Sequence, residues 1–249
     1  MITLFGVPSP NVLKILLMLE EAEVAYELRR VAVMHGEGGE ASFRELNPLG
    51  KVPVIIDRTG NEPKTLYESG AILIYLAETY APALLSGSGT ARWQTLQWLA
   101  VQMSFAGPML GQMNHFQLIP SEAGSYASVR YRDQARSVYR HFDERLRSAE
   151  WLGGDAYSIA DIAMHPWSAY LERHGFDPAD FPSLAAWRAR IDQRPAWIRA
   201  HAAIPGLVGD DLLPPSDANM DHFFGRSEAG PQSDFERYLA LGAMIRPAL

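Results

Sequence analysis

The sequence predicts an α/β domain followed by an all-α domain, and three observations support this order. Short apolar runs typical of strands alternate with helical patterns over residues 1–81. A connecting stretch that contains proline and glycine follows. Beyond it the apolar periodicity is helical throughout. We therefore expect an α/β domain at residues 1–81, a helical domain at residues 90–205 and a C-terminal extension at residues 206–249.

The first domain contains strand and helix patterns in the order β-α-β-α-β-β-α. A helix between the first two strands implies parallel pairing, and the short turn between the last two implies an antiparallel hairpin. This is the thioredoxin-like arrangement. The expected strands cover residues 2–6, 26–33, 52–56 and 64–67. Three helices are expected: the first begins at Asn11, the second ends near Leu46 and the third covers residues 69–80.

The second domain contains five helical patterns, with a predicted break at Gly107-Pro108. Ser158 followed by Asp161 three residues later is a capping box, to which we assign a structural role. The five expected helices cover residues 91–105, 127–147, 159–174, 184–191 and 197–202.

Composition excludes several classes of function. The net charge of −7 argues against a phosphate-binding surface, so we expect no nucleic-acid partner. The chain has no cysteine, which excludes disulfides, thiolate metal sites and a protein thiol nucleophile. The histidines do not form a closely spaced pair of the kind that would indicate a metal site. The N-terminus has no signal-peptide pattern, and no apolar run approaches the roughly 18 residues of a membrane span. We expect a cytoplasmic protein without a membrane or metal partner.

Ser9-Pro10-Asn11 lies where the first strand meets the first helix. Serine is a preferred N-cap and proline suits the first helical position. Unpaired amides and the helix dipole stabilise an anion at such a helix start. Ser9 and Asn11 could hydrogen-bond the thiolate of a bound small molecule there. The alternative is that Ser9 only caps the helix and Asn11 is a solvated polar residue.

Two further segments carry polar groups suited to a peptide-like ligand. Lys51-Val52-Pro53 opens a strand, and a cis bond before Pro53 would present the Val52 backbone groups to a ligand. Glu68-Ser69 opens a helix, where Ser69 could bind a carboxylate and Glu68 an ammonium group. The alternatives are an ordinary strand-opening proline and a plain helix cap.

Five motifs, taken in order, resemble the glutathione transferase superfamily over about residues 1–205. Within it, the chain is most similar to the nu class of bacterial enzymes and their fungal relatives. The motifs are P-S-P-N, N-P-x-G-K-V-P, Y-E-S-G-A-I-L-I-Y-L-A, G-P-M-L-G-Q and W-L-G-G-D-x-Y-S-I-A-D-I-A.

The resemblance implies a glutathione site on the first domain. Asn11 and Ser9 would contact the glutathione sulfur, and Arg130 would reach ligand carboxylates in a dimer. Relatives place a Gln or His near the glycine carboxylate, where this chain has Gly38-Gly39-Glu40, and Glu40 would repel that carboxylate. The remaining implied contacts are Lys51, Val52 and cis-Pro53 for the cysteinyl unit and Glu68 with Ser69 for the γ-glutamyl group.

The implied function is glutathione-dependent disulfide reduction with weaker transfer of glutathione to electrophiles, in a homodimer. The second substrate would be a disulfide or a small hydrophobic molecule. Two alternatives remain open. One is a dedicated glutathione S-transferase or an ether- or thioether-cleaving lyase, with Ser9 as the thiolate partner. The other is a non-catalytic, glutathione-binding regulatory protein.

Overall fold

The computed structural model describes residues 1–117 and 124–209. Residues 210–249, most of the expected C-terminal extension, lie outside the described part of the chain. Within the described part, an N-terminal sheet with helices is followed by a helical region, so the predicted fold class is confirmed.

The sheet has four strands in the spatial order β2-β1-β3-β4. Strand β1 pairs in parallel with β2 and antiparallel with β3, and β3 and β4 form an antiparallel pair. These pairings confirm the predicted topology. The strands are β1 (Ile2–Gly6), β2 (Tyr26–Arg30), β3 (Val54–Asp57) and β4 (Lys64–Tyr67).

Strand β2 ends at Arg30, whereas the sequence predicted a strand to Val33. The Val31 amide still donates to the Gly6 carbonyl, at 3.0 Å, before the chain turns into a 3-10 segment at Val33–His35. Val31 and Val33 are buried with Phe43 in a small second core. Their apolar character therefore reflects burial in a turn. Strand β3 begins after a cis Val52–Pro53 bond, two residues later than predicted.

The first domain contributes three helices: α1 (Pro10–Glu21), α2 (Ala41–Arg44) and α3 (Ser69–Tyr80). The helical region contributes α4 (Gly89–Val101), α5 (Gly107–Gln117), α6 (Tyr126–Ser148), α7 (Ile159–Ser168), α8 (Pro182–Asp192) and α9 (Pro195–Ala202).

The predicted break at Gly107-Pro108 is wrong, because a π-helical turn at Gln102–Ala106 joins α4 directly to α5. The Gly107 amide donates to the Gln102 carbonyl, five residues back. A proline inside a helix lacks an amide hydrogen and its ring crowds the carbonyl four residues earlier. The wider π turn before Pro108 accommodates the proline without ending the helix.

Helix α1 is the central element, because it packs against α3 of the first domain and against α7 and α9 of the helical region. Every residue from Val12 to Leu19 is buried. Gly6 allows β1 to approach this helix closely, since a Cβ there would lie 2.6 Å from Val12 Cγ1. The end of α1 is joined to the start of α9 by a bidentate ion pair between Glu21 and Arg194.

The predicted capping box at the start of α7 is present. Asp161 accepts hydrogen bonds from the Ser158 amide and from the Leu152 amide, at 3.0 and 2.9 Å. Among the described residues, no helix has both the length and the apolar character needed to cross a bilayer.

Candidate functional site

A cavity of about 350 Å³ lies at the N-terminal end of α1, beside the chain that enters β3 and the start of α3. Seven of the eight residues predicted as site residues line it: Ser9, Asn11, Lys51, Val52, Pro53, Glu68 and Ser69. Val7, Val33 and Asn47 complete the wall.

Ser9 caps α1 as predicted, and its Oγ accepts a hydrogen bond from the Val12 amide at 3.4 Å. Pro10 occupies the first helical position. Because the serine oxygen uses a lone pair for the cap, its hydroxyl hydrogen is still available to a ligand. Asn11 lies one residue further along and also lines the cavity. The cavity thus has side-chain donors at the positive end of a helix dipole.

Asn47 holds the loop that precedes Pro53, a role that the sequence analysis missed. Its Nδ2 donates to the Lys51 carbonyl at 2.6 Å, and its Oδ1 accepts from the Leu49 amide at 3.0 Å. This side chain, 2% exposed, sets the course of the backbone into Val52. Burial lowers the pKa of Lys51.

Glu68 and Ser69 form the wall at the start of α3. Glu68 has a positive φ of 68°, a conformation that costs a non-glycine residue about 1–3 kcal/mol and is concentrated at binding sites. Ser69 does not cap the helix as proposed, because α3 begins at Ser69 and Glu68 occupies the cap position without a capping hydrogen bond. The Ser69 hydroxyl oxygen instead accepts a hydrogen bond from Lys14 Nζ, at 3.3 Å.

Lys14 is the second residue of this site that the sequence analysis missed. It is 1% exposed on α1, and its Nζ also donates to Gln102 Oε1 at 2.7 Å. Burial lowers the pKa of Lys14 to about 7, although the Glu68 carboxylate opposes this shift. The sequence feature that could have identified Lys14 is its position as a lysine within the apolar run Val12 to Leu19. It connects the wall of the cavity to the π-helical turn of the second domain.

Trp167, on α7, is the third residue that the sequence analysis missed. Its Nε1 donates to Asn11 Oδ1 at 3.1 Å. The helical domain therefore contacts the polar residue of α1 that faces the cavity.

Arg130, the eighth predicted residue, lies in an exposed part of α6 and does not line this cavity. Its predicted contact with ligand carboxylates depends on a dimer and stays a prediction. Among residues 1–117 and 124–209, no group of three His, Asp or Glu side chains is arranged to hold a metal ion.

Two models of known protein families match this chain. The model of the glutathione S-transferase N-terminal domain matches residues 8–79, and that of the C-terminal domain matches residues 110–195. The chain is 42% identical over 216 residues to the disulfide-bond oxidoreductase YfcG of Escherichia coli, which covers 85% of this chain and 98% of YfcG. The chain belongs to the glutathione S-transferase family.

Solved structures of glutathione S-transferase family members and of Ure2p resemble this chain. One is a glutathione transferase family member from Pseudomonas fluorescens with two glutathione molecules bound, at 36% identity and a TM-score of 0.74 over 80% of this chain and 91% of that one. Another is Ure2p in complex with glutathione, at 32% identity and a TM-score of 0.76 over 80% of this chain and 97% of that one.

Proposed function

We propose that this glutathione S-transferase family member binds glutathione in the cavity at the start of α1 and uses the thiolate of that glutathione to reduce disulfides. The observation that carries this proposal is the convergence of seven predicted residues on one cavity. They come from three separate segments, at Ser9 and Asn11, at 51–53, and at Glu68 and Ser69. No cysteine exists in the chain, so the reacting sulfur comes from the ligand.

The start of α1 is suited to a thiolate. A free thiol has a pKa of about 8.5, and lowering it by about two units requires about 3 kcal/mol. A helix N-terminus together with one or two hydrogen bonds from Ser9 and Asn11 can supply this free energy. The γ-glutamyl group would lie against Glu68 and Ser69. A Ser69 hydroxyl that accepts from Lys14 keeps its own hydrogen for a carboxylate.

The reaction proceeds by thiol–disulfide exchange. The bound glutathione thiolate attacks one sulfur of a substrate disulfide, forms a mixed disulfide and releases the other half as a thiolate, which takes up a proton. A second glutathione thiolate then attacks the mixed disulfide at the glutathione sulfur, yielding glutathione disulfide and the second substrate thiol. Two glutathione molecules supply the two electrons.

Two comparisons favour reduction over transfer as the main activity. YfcG is named a disulfide-bond oxidoreductase. The Pseudomonas fluorescens relative holds two glutathione molecules, the number that the reaction consumes. Transfer to electrophiles uses the same thiolate and is the weaker activity in this proposal. Ure2p, which this chain resembles, is solved in complex with glutathione, and a non-catalytic glutathione-binding role is the second candidate function.

We place the enzyme in the cytoplasm, where glutathione is kept reduced, and infer that it is a homodimer. The homodimer is inferred from the resemblance to glutathione transferases, and several large apolar side chains are exposed on the single subunit. Trp93 on α4 is 64% exposed, Tyr67 on β4 is 39% exposed and Met103 in the π-helical turn is 38% exposed.

The test is Asn11→Ala, assayed with glutathione and hydroxyethyl disulfide. Turnover should fall about 10-fold or more, because a hydrogen bond to a charged group contributes about 1.5–3 kcal/mol. The affinity for glutathione should change much less, since Val52, Glu68 and Ser69 are retained. Asn61→Ala, at an exposed asparagine outside the cavity, is the matched control.

Each rival function gives a different result. If Ser9 is the thiolate partner, Ser9→Ala will abolish turnover and Asn11→Ala will not. A dedicated transferase will consume a chlorinated nitroarene faster than the disulfide. Wild-type protein that binds glutathione but turns over neither substrate would favour the non-catalytic role.

A further inference from the structure

The hydrogen bond between Trp167 and Asn11 joins residues 156 positions apart in the sequence. Trp167 is 7% exposed on α7, and Asn11 is on α1 and lines the cavity. The contact is therefore made between the two domains, at the residue that we expect to face the glutathione sulfur.

The chemistry of the two groups determines how the amide is oriented. The indole Nε1–H can only donate a hydrogen bond, so the group facing it must be the amide oxygen of Asn11. The two N–H groups of Asn11 then lie at the other end of the planar amide. An amide turned the other way would present its carbonyl oxygen to the cavity, where it would repel a thiolate. Trp167 thus selects the orientation in which Asn11 is a donor to an anion.

The G-P-M-L-G segment explains how the indole reaches this position. Gly107 and Gly111 lie one turn apart on α5 and border the six-membered ring of Trp167. A Cβ would lie 3.8 Å from Trp167 Cζ2 at Gly107 and 3.7 Å from Cη2 at Gly111. Two glycines leave this space open, and any side chain larger than alanine at Gly111 would press on the indole.

We propose that Trp167 is a positioning residue that holds the Asn11 amide with its N–H groups toward the glutathione sulfur. This proposal rests on the proposed function, because it requires glutathione in the cavity. Trp167 acts through Asn11, and the two glycines of α5 leave the space that its indole ring occupies. The helical domain therefore contributes to activation of the thiol that the first domain binds.

The test is Trp167→Phe, which keeps an aromatic ring and removes the donor. The thiol pKa of bound glutathione, followed by the ultraviolet absorbance of the thiolate, should rise. Turnover of hydroxyethyl disulfide at neutral pH should fall about 3- to 10-fold, as expected for one hydrogen bond. The dissociation constant for glutathione should stay within about twofold, because the groups that bind the rest of the tripeptide are unchanged.

Two further variants distinguish a positioning role of Trp167 from a general destabilisation of the fold. In the Asn11→Ala background, Trp167→Phe should cause no further loss of turnover, since the amide through which it acts is gone. Trp187→Phe is the matched control: it also removes a buried indole donor, in this case the one to Asp161 at 2.9 Å, away from the cavity. This control should keep the wild-type thiol pKa.

A second variant keeps the proposal testable if Trp167→Phe does not fold. Gly111→Val should displace the indole and raise the thiol pKa in the same way, whereas Gly111→Ala should leave the pKa unchanged. The positioning role is overturned if active wild-type enzyme and the folded Trp167→Phe or Gly111→Val variant share one thiol pKa and one turnover rate. Wild-type protein that neither lowers the thiol pKa nor reduces a disulfide overturns the proposed function as well.

Discussion

Replacing Lys14 with methionine should change how the stability of this protein depends on pH. Lys14 is 1% exposed, and its Nζ donates to two neutral oxygens, at 2.7 Å for Gln102 Oε1 and 3.3 Å for Ser69 Oγ. Burial lowers its pKa from 10.5 to about 7, with Glu68 opposing the shift. Methionine is of similar length and carries no charge, so it removes this titration while filling most of the same space.

Whether the free energy of unfolding rises or falls with pH depends on which state, folded or unfolded, binds the Lys14 proton more tightly. Because the folded-state pKa of Lys14 is about 7 and the unfolded value is 10.5, the unfolded chain holds the proton over this interval and the folded chain releases it. The free energy of unfolding therefore rises with pH between these two values, by about 1.4 kcal/mol per pH unit from this group. Between about pH 7.5 and about pH 9.5 the gain is about 2–3 kcal/mol.

Urea unfolding of wild type and Lys14→Met across this interval measures the difference. The wild-type free energy of unfolding should increase relative to the variant by roughly the amount given above. The loss of the hydrogen bonds to Gln102 and Ser69 shifts the variant curve by a similar amount at each pH, so the slope is the diagnostic quantity. Lys64→Met, at an exposed lysine on β4, should keep the wild-type slope. Parallel curves for wild type and Lys14→Met would show that the pKa of Lys14 is not lowered in the folded protein.

Two buried carboxylates give further predictions. Asp161→Ala should lower the free energy of unfolding by about 3–5 kcal/mol, because two backbone amides and an indole lose their buried acceptor. Ser158→Ala should lower the free energy of unfolding by only about 1 kcal/mol. If thermal or urea unfolding shows equal losses for the two variants, Asp161 is not the more important of the two residues for stability. Burial would raise the pKa of Asp57, but hydrogen bonds from Tyr80, Tyr75 and a threonine outweigh it and lower the pKa to about 2. Because this is below the unfolded value of 3.8, the stability that Asp57 contributes is present above that value and is lost as pH falls toward 2. Asp57→Asn should show a smaller loss of stability on acidification than wild type, and identical acid unfolding curves would contradict this.

The sequence was sufficient to predict the sheet topology and most of the cavity. Ser9 and Ser69 stand at helix starts, where local preferences of single residues are strong and the unpaired amides are known in advance. The role of Ser69 was less predictable. It accepts from a lysine 55 residues away, and no local pattern specifies such a partner.

Two of the residues that the sequence analysis missed, Lys14 and Trp167, have partners far away in the sequence. Lys14 and Trp167 lie in apolar helical patterns, where the default interpretation is a core position. Their roles depend on how α1 packs against the second domain, which a periodicity does not specify. The wrong break at Pro108 has a different origin. Proline commonly ends a helix, but here a π-helical turn immediately before it accommodates the ring.

In the proposed mechanism, the sulfur of bound glutathione becomes a thiolate at the start of α1. Titration of the thiolate absorbance of glutathione bound to the wild-type protein measures this ionisation. We predict a thiol pKa about two units below the free value of about 8.5, and a return toward the free value in Asn11→Ala. If bound glutathione titrates like the free tripeptide, the start of α1 does not stabilise a thiolate and the proposed mechanism is wrong.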